Sequence, residues 1–357
     1  MTDRVQRLEA TLAQRGVDVL LVSERHDVRW LTGFSGSSGA ALLGAGMRTL
    51  VTDFRYLTQS AEELHAGWAT EIASDLLRGV AQALPAEGAV RLGFDDANLS
   101  VRDRDKLAGL VREGVALVGA GGAVTALRAI KDAAELDRVR AAARLADTAL
   151  QTVLADGLVG RTERDVALEI EIAMRRLGAE AAAFEPIVAS GPHAALPHAQ
   201  PRDVVIAAGT LCVIDWGARL DGYASDCTRT FATGELDPRD RAIYDLVLHA
   251  QEAALQAVRP GPLGRDVDAV ARAIIDAAGH GEHFGHGLGH GVGLDVHEGP
   301  RLSKQGDEAL RAGMVVTIEP GVYVPGATGV RIEDLVVVTA DGAEVLSSLS
   351  KAFQVVG

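Results

Sequence analysis

Four acidic residues stand inside the most apolar strand-like stretches of this sequence: Asp215 in CVIDW, Asp226 in YASDC, Glu319 in VTIEPG and Glu333 in VRIED. Carboxylates are disfavoured in strands and are rarely buried without a partner. Their spacing gives a reason for them. Paired residues in a hairpin have numbers that sum to a constant. Asp215 and Asp226 are equidistant from the Leu220–Asp221 boundary, beside the turn signal Asp221-Gly222. Glu319 and Glu333 are equidistant from Gly326, in the loop Pro325-Gly326-Ala327. Each hairpin can therefore present its two carboxylates side by side, within one or two positions of register. Four carboxylates converging on one sheet face are untenable in a low dielectric unless cations neutralise them. Two divalent ions supply four positive charges, and a histidine can complete the coordination. Of the ten histidines, five fall between His280 and His297, in a glycine-rich segment that cannot be a helix face. Metal-assisted hydrolysis is the chemistry such a set would perform.

The elements that must position these residues are legible in outline. Val5, Leu8 and Leu12 share a helical face, and VDVLLVS (17–23) is a run of strand length. The loop TGFSGSSGA follows, then the strand MRTLVTD, the helix FRYLTQSAEEL, and the strands VRLGFD and VALVG around the helix VRDRDKLAGLVREG. This alternation predicts an α/β domain, with the small residues GAGGAVT (119–125) as a connector. A long amphipathic helix ends before Gly157, and Thr162 opens the next with Asp165 three residues on. Strands then dominate: VVIAAG, TLCVIDWGARL, YASDCTRTFA, MVVTIEPGVYV and GVRIEDLVVV, with helices near 238–258 and 264–278. That texture predicts an α+β domain with a mostly antiparallel sheet.

Composition narrows the function classes. A chain of 357 residues suggests two domains, expected over 1–122 and 126–357. Net charge of −14 repels phosphate backbones and anionic lipid, so neither nucleic acid nor membrane is an expected partner. Two cysteines, Cys212 and Cys227, suit a reducing compartment and cannot build a Cys-type zinc site. No stretch approaches the roughly 20 apolar residues of a membrane span, and the charged N-terminus lacks an apolar signal core. A cytoplasmic location is the expectation.

At the acidic strands the sequence resembles the Xaa-Pro peptidases of the pita-bread metallopeptidase superfamily, which includes prolidase and aminopeptidase P. The resemblance rests on LRAIKDAAELDRVR (127–140), VASGPHAALPHAQP (188–201), VIDWGARLDGYASDCTRTF (213–231), HGLGHGVGLDVHEGP (286–300) and TIEPGVYVPGATGVRIED (317–334). LTGFSGSSG and TDFRYLTQSAEE are similar, less specifically, to the creatinase-type N-terminal domain. The implied fold is an α+β pita-bread catalytic domain preceded by a smaller α/β creatinase-like domain. The implied metal ligands are Asp215, Asp226, His290, Glu319 and Glu333, with Asp226 and Glu333 bridging two divalent ions. Oxygen-rich ligation with one imidazole suits Mn²⁺, with Co²⁺ or Zn²⁺ as other occupants. His198 in LPHA matches the family histidine near the scissile bond. His297 in DVHE matches one that hydrogen-bonds the substrate carbonyl, and Glu319 is the implied proton relay. Arg331, two residues before a ligand, shares its face and supports the site or reads the substrate's end. His286 can line the site; His193, His280 and His283 are left structural, and Tyr223 and Tyr323 flank ligands without assigned chemistry.

The implied activity is hydrolysis of the Xaa-Pro imide bond in a proline-containing di- or oligopeptide, leaning towards the dipeptidase. Aminopeptidase P shares every motif and is the alternative. Methionine aminopeptidases lack the large N-terminal domain, and a creatinase-like, metal-free enzyme would have lost the carboxylate set. A non-catalytic pita-bread binding module is the reading from another class, and intact ligands count against it. The resemblance also implies a homodimer.

Overall fold

The computed structural model describes residues 2–357. The chain divides into a first compact unit ending at Arg128 and a second spanning Ala129–Gly357. Arg128, which closes the first unit, is buried against Asp27 at 2.6 Å.

In the first unit, helices α1 (Thr2–Leu12), α2 (Arg25–Thr32), α3 (Leu57–Glu63), α4 (Leu76–Ala83), α5 (Val101–Leu110) and α6 (Thr125–Arg128) accompany one mixed sheet. Its strands are β1 (Val19–Val22), β2 (Gly39–Gly44), β3 (Met47–Thr52), β4 (Ala69–Ile72), β5 (Val90–Phe94) and β6 (Val115–Gly119), in the order β4-β3-β2-β1-β5-β6. Val5, Leu8 and Leu12 are buried, as their spacing predicts. Two strands escape the sequence reading. β2, GAALLG, lacks β-branched residues and overlaps the end of the expected glycine–serine loop, yet Ala40 to Leu43 are buried in it. β4, ATEI, is an exposed edge strand without an apolar run.

The second unit holds α7 (Ala133–Leu154), α8 (Glu163–Arg176), α9 (Pro238–Ala257) and α10 (Gly264–Ala277). Asp132 and Glu135 close a capping box on α7, and the Thr162 hydroxyl accepts the Asp165 N–H at the start of α8. Strands β7 (Ala181–Ala182), β8 (Ile187–Ser190), β9 (Leu211–Trp216), β10 (Ala218–Leu220), β11 (Tyr223–Ala224) and β12 (Cys227–Ala232) form the sheets β11-β10-β7 and β12-β9-β8. Further on, β13 (Gly289–Gly291), β14 (Glu298–Leu302), β15 (Val315–Ile318), β16 (Gly321–Val324), β17 (Thr328–Arg331), β18 (Asp334–Val338) and β19 (Ala343–Val345) form β14-β13-β15-β18-β19 and β16-β17. The named strands of this unit pair antiparallel throughout. Residues of α7 and α8 pack on β8, β9 and β12 in one core, and residues of α9 and α10 pack on β15 to β18 in the other. Two helix pairs thus back two groups of strands, and the carboxylates come from both groups.

VVIAAG is not a strand. Residues 204–209 make one isolated bridge, Thr162 to Val205, and Val204 and Val205 are exposed. The place beside β9 is taken by β8 instead. No helix among the described residues is long and apolar enough to cross a membrane.

Candidate metal centre

The two hairpins set the geometry. Asp221 and Gly222, with φ of 49° and 83°, turn the first one. Its register pairs Asp215 with Thr228, so Asp226 sits two residues along on the same face, diagonal to Asp215 rather than directly across. In the second hairpin the register passes unchanged from β15–β18 to β16–β17. Glu319 and Glu333 occupy the break between the two ladders. There their backbone N–H groups turn to other strands: Glu333 donates to Thr228 O (3.0 Å) and Glu319 to Leu288 O (2.8 Å). The break therefore joins both carboxylate pairs and the histidine segment at one point.

The glycines around His290 follow from the same crowding. A Cβ on Gly289 would meet Thr317 O at 2.0 Å, and one on Gly291 would meet Gly299 O at 2.1 Å. Only glycine lets β13 lie between β14 and β15 with the imidazole projecting. His290 Nδ1 lies 3.1 Å from Gly291 O, which fixes the ring and leaves Nε2 towards Glu319 Oε1 (3.2 Å) and Asp226 Oδ2 (3.6 Å). His297 lies beside it, with ring centroids 4.2 Å apart and the rings tilted by 50°.

Oxygen atoms of Asp215, Asp226 and Glu333 lie within 4.8 Å of one another. Asp215 Oδ1 and Glu333 Oε1 are buried and accept no hydrogen bond among the described residues. An orphaned buried carboxylate oxygen costs roughly several kcal/mol, and here two belong to residues that line the same cavity. Burial, then the charges of Glu333 and Asp215, push Asp226 well above the usual carboxylate range. Burial, then Glu319 and Asp215, does the same to Glu333. Burial also raises Asp215, with Arg331 opposing it. Glu319 goes the other way. Burial alone would raise it, but the hydrogen bond and charge of His290 bring it to about 2. Hard oxygen donors with one imidazole, under-neutralised and pre-gathered, fit divalent cations.

The sequence-expected residues fall as follows. All five candidate ligands line one cavity of about 420 Å³, together with His198, His286, His297 and Arg331. Phe184, Pro186, Ile187, Pro197 and Val296 give it an apolar wall that no motif announced. Arg331 is buried, and its guanidinium donates to Asp215 Oδ2 (2.7 Å), Thr228 Oγ1 (3.0 Å), Pro197 O (3.0 Å) and Tyr323 Oη (2.9 Å). It therefore braces the site from within the cavity lining. His286 Nε2 accepts from Tyr323 Oη (2.9 Å), and its Nδ1 meets Gly287 O (2.7 Å), so this ring ties the loop to the arginine. Tyr223 donates to Glu135 (2.8 Å) and His193 is held by Glu163, both away from the carboxylates. His280 and His283 face each other with Nδ1 atoms 3.0 Å apart.

Two threonines were missed. Thr228 donates to Glu333 Oε2 (2.7 Å), and Thr317 donates to Glu319 Oε1 (3.0 Å) while accepting the His290 N–H (3.1 Å). Each lies two residues from a candidate ligand, on the same strand face, and that alternation was the available signal.

The fold and this site define the class: a metallopeptidase with a creatinase-type N-terminal domain and a pita-bread catalytic domain. Residues 137–340 match the model of metallopeptidase family M24, and residues 4–130 match the creatinase/prolidase N-terminal domain. The chain belongs to metallopeptidase family M24. It is 33% identical to an Xaa-Pro dipeptidase of Pyrococcus horikoshii, over 98% of each chain. An Xaa-Pro dipeptidase structure from Bacillus anthracis superposes with a TM-score of 0.96 at 35% identity, covering 99% of each chain. An X-Pro aminopeptidase structure from Thermotoga maritima gives 0.89 at 33% identity, covering 99% of this chain and 100% of that one.

Proposed function

We propose that this protein is an Xaa-Pro dipeptidase whose two divalent ions, Mn²⁺ foremost, are held by Asp215, Asp226, His290, Glu319 and Glu333. The observation that carries the reading is the pair of orphaned oxygens, Asp215 Oδ1 and Glu333 Oε1, at the floor of the histidine-lined cavity. Bound ions would supply the Lewis acidity that activates water and polarises the amide carbonyl. The protein's own groups do the rest. Burial and the neighbouring His290 keep His297 below the usual histidine range, so at neutral pH it is a neutral imidazole able to donate to the substrate carbonyl. Glu319, held ionised, can take a proton and pass it to the leaving imino nitrogen. His198 at the mouth meets the substrate near the scissile bond, and Arg331 holds Asp215 in place. The Xaa-Pro bond has no N–H, so the apolar wall suits its ring where ordinary backbone recognition has no donor.

The dipeptide preference is supported by relatives that carry that name. A homodimer in the cytoplasm completes the reading. Cys212 and Cys227 are free and buried, facing Phe231 and Trp216 rather than each other, which accords with a reducing compartment. The test is kcat/KM for Ala-Pro against Ala-Pro-Ala on Mn²⁺-loaded protein. Faster dipeptide cleavage, lost on chelation, is expected. Equal or faster tripeptide cleavage turns the reading to an aminopeptidase, and no cleavage of either, with metal bound, turns it to a binding module.

A further inference from the structure

His198 poses a positioning problem. It is exposed at the cavity mouth, and its imidazole makes no hydrogen bond to protein among the described residues. Only its backbone can place it. The apolar support beneath that segment is slight, a cluster of Ala189, Ala194, Ala199 and Val213 with Ile187 against it, and alanines bury little surface.

The polar support is concentrated in one residue. Glu163, the first residue of α8, is fully buried. Its Oε1 accepts from Ser190 N (2.9 Å), Ser190 Oγ (3.0 Å) and Arg202 Nη2 (3.4 Å). Its Oε2 accepts from His193 Nδ1 (2.9 Å), Arg202 N (3.2 Å) and Arg202 Nε (3.2 Å). Residues 190 and 202 are the two ends of the segment that carries His198, and His193 lies within it. From His193 the chain is tied onward, with Leu196 N donating to His193 O (3.1 Å) and Ala199 N to Leu196 O (3.2 Å). Between those ends, among the described residues, the other side-chain clamp is Arg331 on Pro197 O, already part of the site.

We propose that Glu163 is a positioning residue that sets His198, and with it the substrate-side wall Pro197–Pro201, by pinning both ends of residues 190–202 to α8. The inference rests on His198 contacting substrate, as proposed above. Six hydrogen bonds on one buried carboxylate make a rigid anchor, since charge-assisted bonds are roughly twice as strong as neutral ones, and small displacements of a substrate-contacting group are costly.

The test is a double-mutant cycle on Mn²⁺-loaded protein, with E163Q and H198A singly and together, read by kcat, KM, metal content and melting temperature. E163Q is expected to keep its metal and to lose about tenfold in kcat/KM, and to lose almost nothing further on the H198A background. If E163Q does not fold, R202A, whose side chain is half-exposed, carries the same cycle with a smaller loss of about threefold. Additive losses, unchanged turnover, or loss of metal would overturn the inference. Failure of the underlying reading looks different: wild-type protein would not cleave Ala-Pro, or H198A would match it.

Discussion

Glu333 and Asp334 are neighbours in sequence, both about 1% exposed, and they point to opposite faces of the second hairpin. Asp334 is surrounded by the protein's own cations. It accepts from Arg229 Nη2 (2.8 Å), Lys351 Nζ (2.6 Å) and Gln251 Nε2 (2.9 Å), and the charges of Arg229 and Lys351 hold it below its ordinary range despite burial. Among the described residues, Glu333 has one hydroxyl donor on Oε2, nothing on Oε1, and the carboxylates of Asp215, Asp226 and Glu319 in the same cavity lining. The fold therefore builds a complete ionic network on one face and leaves a cation deficit on the other. Arg229 joins them, since it also donates to the Glu333 carbonyl, so the completed face anchors the backbone of the deficient one. A buried carboxylate as such says little; the count of cations facing it separates a structural group from a metal-seeking one.

The comparison breaks most visibly in activity. E333Q is expected to reduce Ala-Pro hydrolysis by about a thousandfold or more and to abolish the rise in melting temperature on adding Mn²⁺, a rise worth roughly 4 kcal/mol at a thousandfold excess over Kd. Chelator-treated E333Q should melt no lower than chelator-treated wild type, because it removes charge from a repulsive cluster. A lower melting temperature would mean that Glu333 is faced by a protein cation after all.

One residue on, the sign reverses. D334N leaves Arg229 and Lys351 facing a neutral amide and is expected to cost about 3 kcal/mol in denaturant unfolding, while the Mn²⁺-induced shift survives in whatever fraction folds. Equal stability of D334N and wild type would show that the network on that face is not charge-bound.

T228V tests the bridge into the deficient side. Thr228 accepts from Arg331 Nε and donates to Glu333 Oε2. Its loss is expected to weaken Mn²⁺ binding about tenfold, as outer-shell partners do, measured by titration with the metal alone. Unchanged affinity would place the hydroxyl outside the metal's surroundings.

The smallest effect lies in the first unit. Asp27 has one close cation, Arg128, against burial and the charges of Glu24 and Asp95, and it is pushed up to about 6. Because the folded value is raised, its contribution is fully present below about pH 4 and is lost as pH rises towards 6. Stability should fall across that window by an amount on the order of 1 kcal/mol, and D27N should flatten the slope. A slope unchanged in D27N would assign it to another group.

Much of the site was legible because it is local. Alternation along a strand fixes which residues share a face, and hairpin closure fixes which residues meet, so Glu319 and Glu333 could be paired from their numbers alone. Asp215 and Asp226 came within two positions for the same reason. The glycine-rich histidine segment could be denied a helix from sequence, and the contacts of Gly289 and Gly291 in β13 show why glycines stand there. Composition and β-branched runs located α9, α10 and the long strands, but not β2 or β4, which carry no apolar β-branched run, and they made a strand of VVIAAG, which makes only one isolated bridge among the described residues.

What the chain determined by itself is thus the identity and pairing of the carboxylates, since these depend on period and turn chemistry over a few tens of residues. What only the tertiary structure decided is the partner of each charge. Arg331 lies 116 positions from Asp215, Arg229 lies 105 from Asp334, and Glu163 lies 27 to 39 from the residues it pins. No local pattern encodes such distances. They are set when separate elements pack and each buried charge must find, or lack, an opposite one.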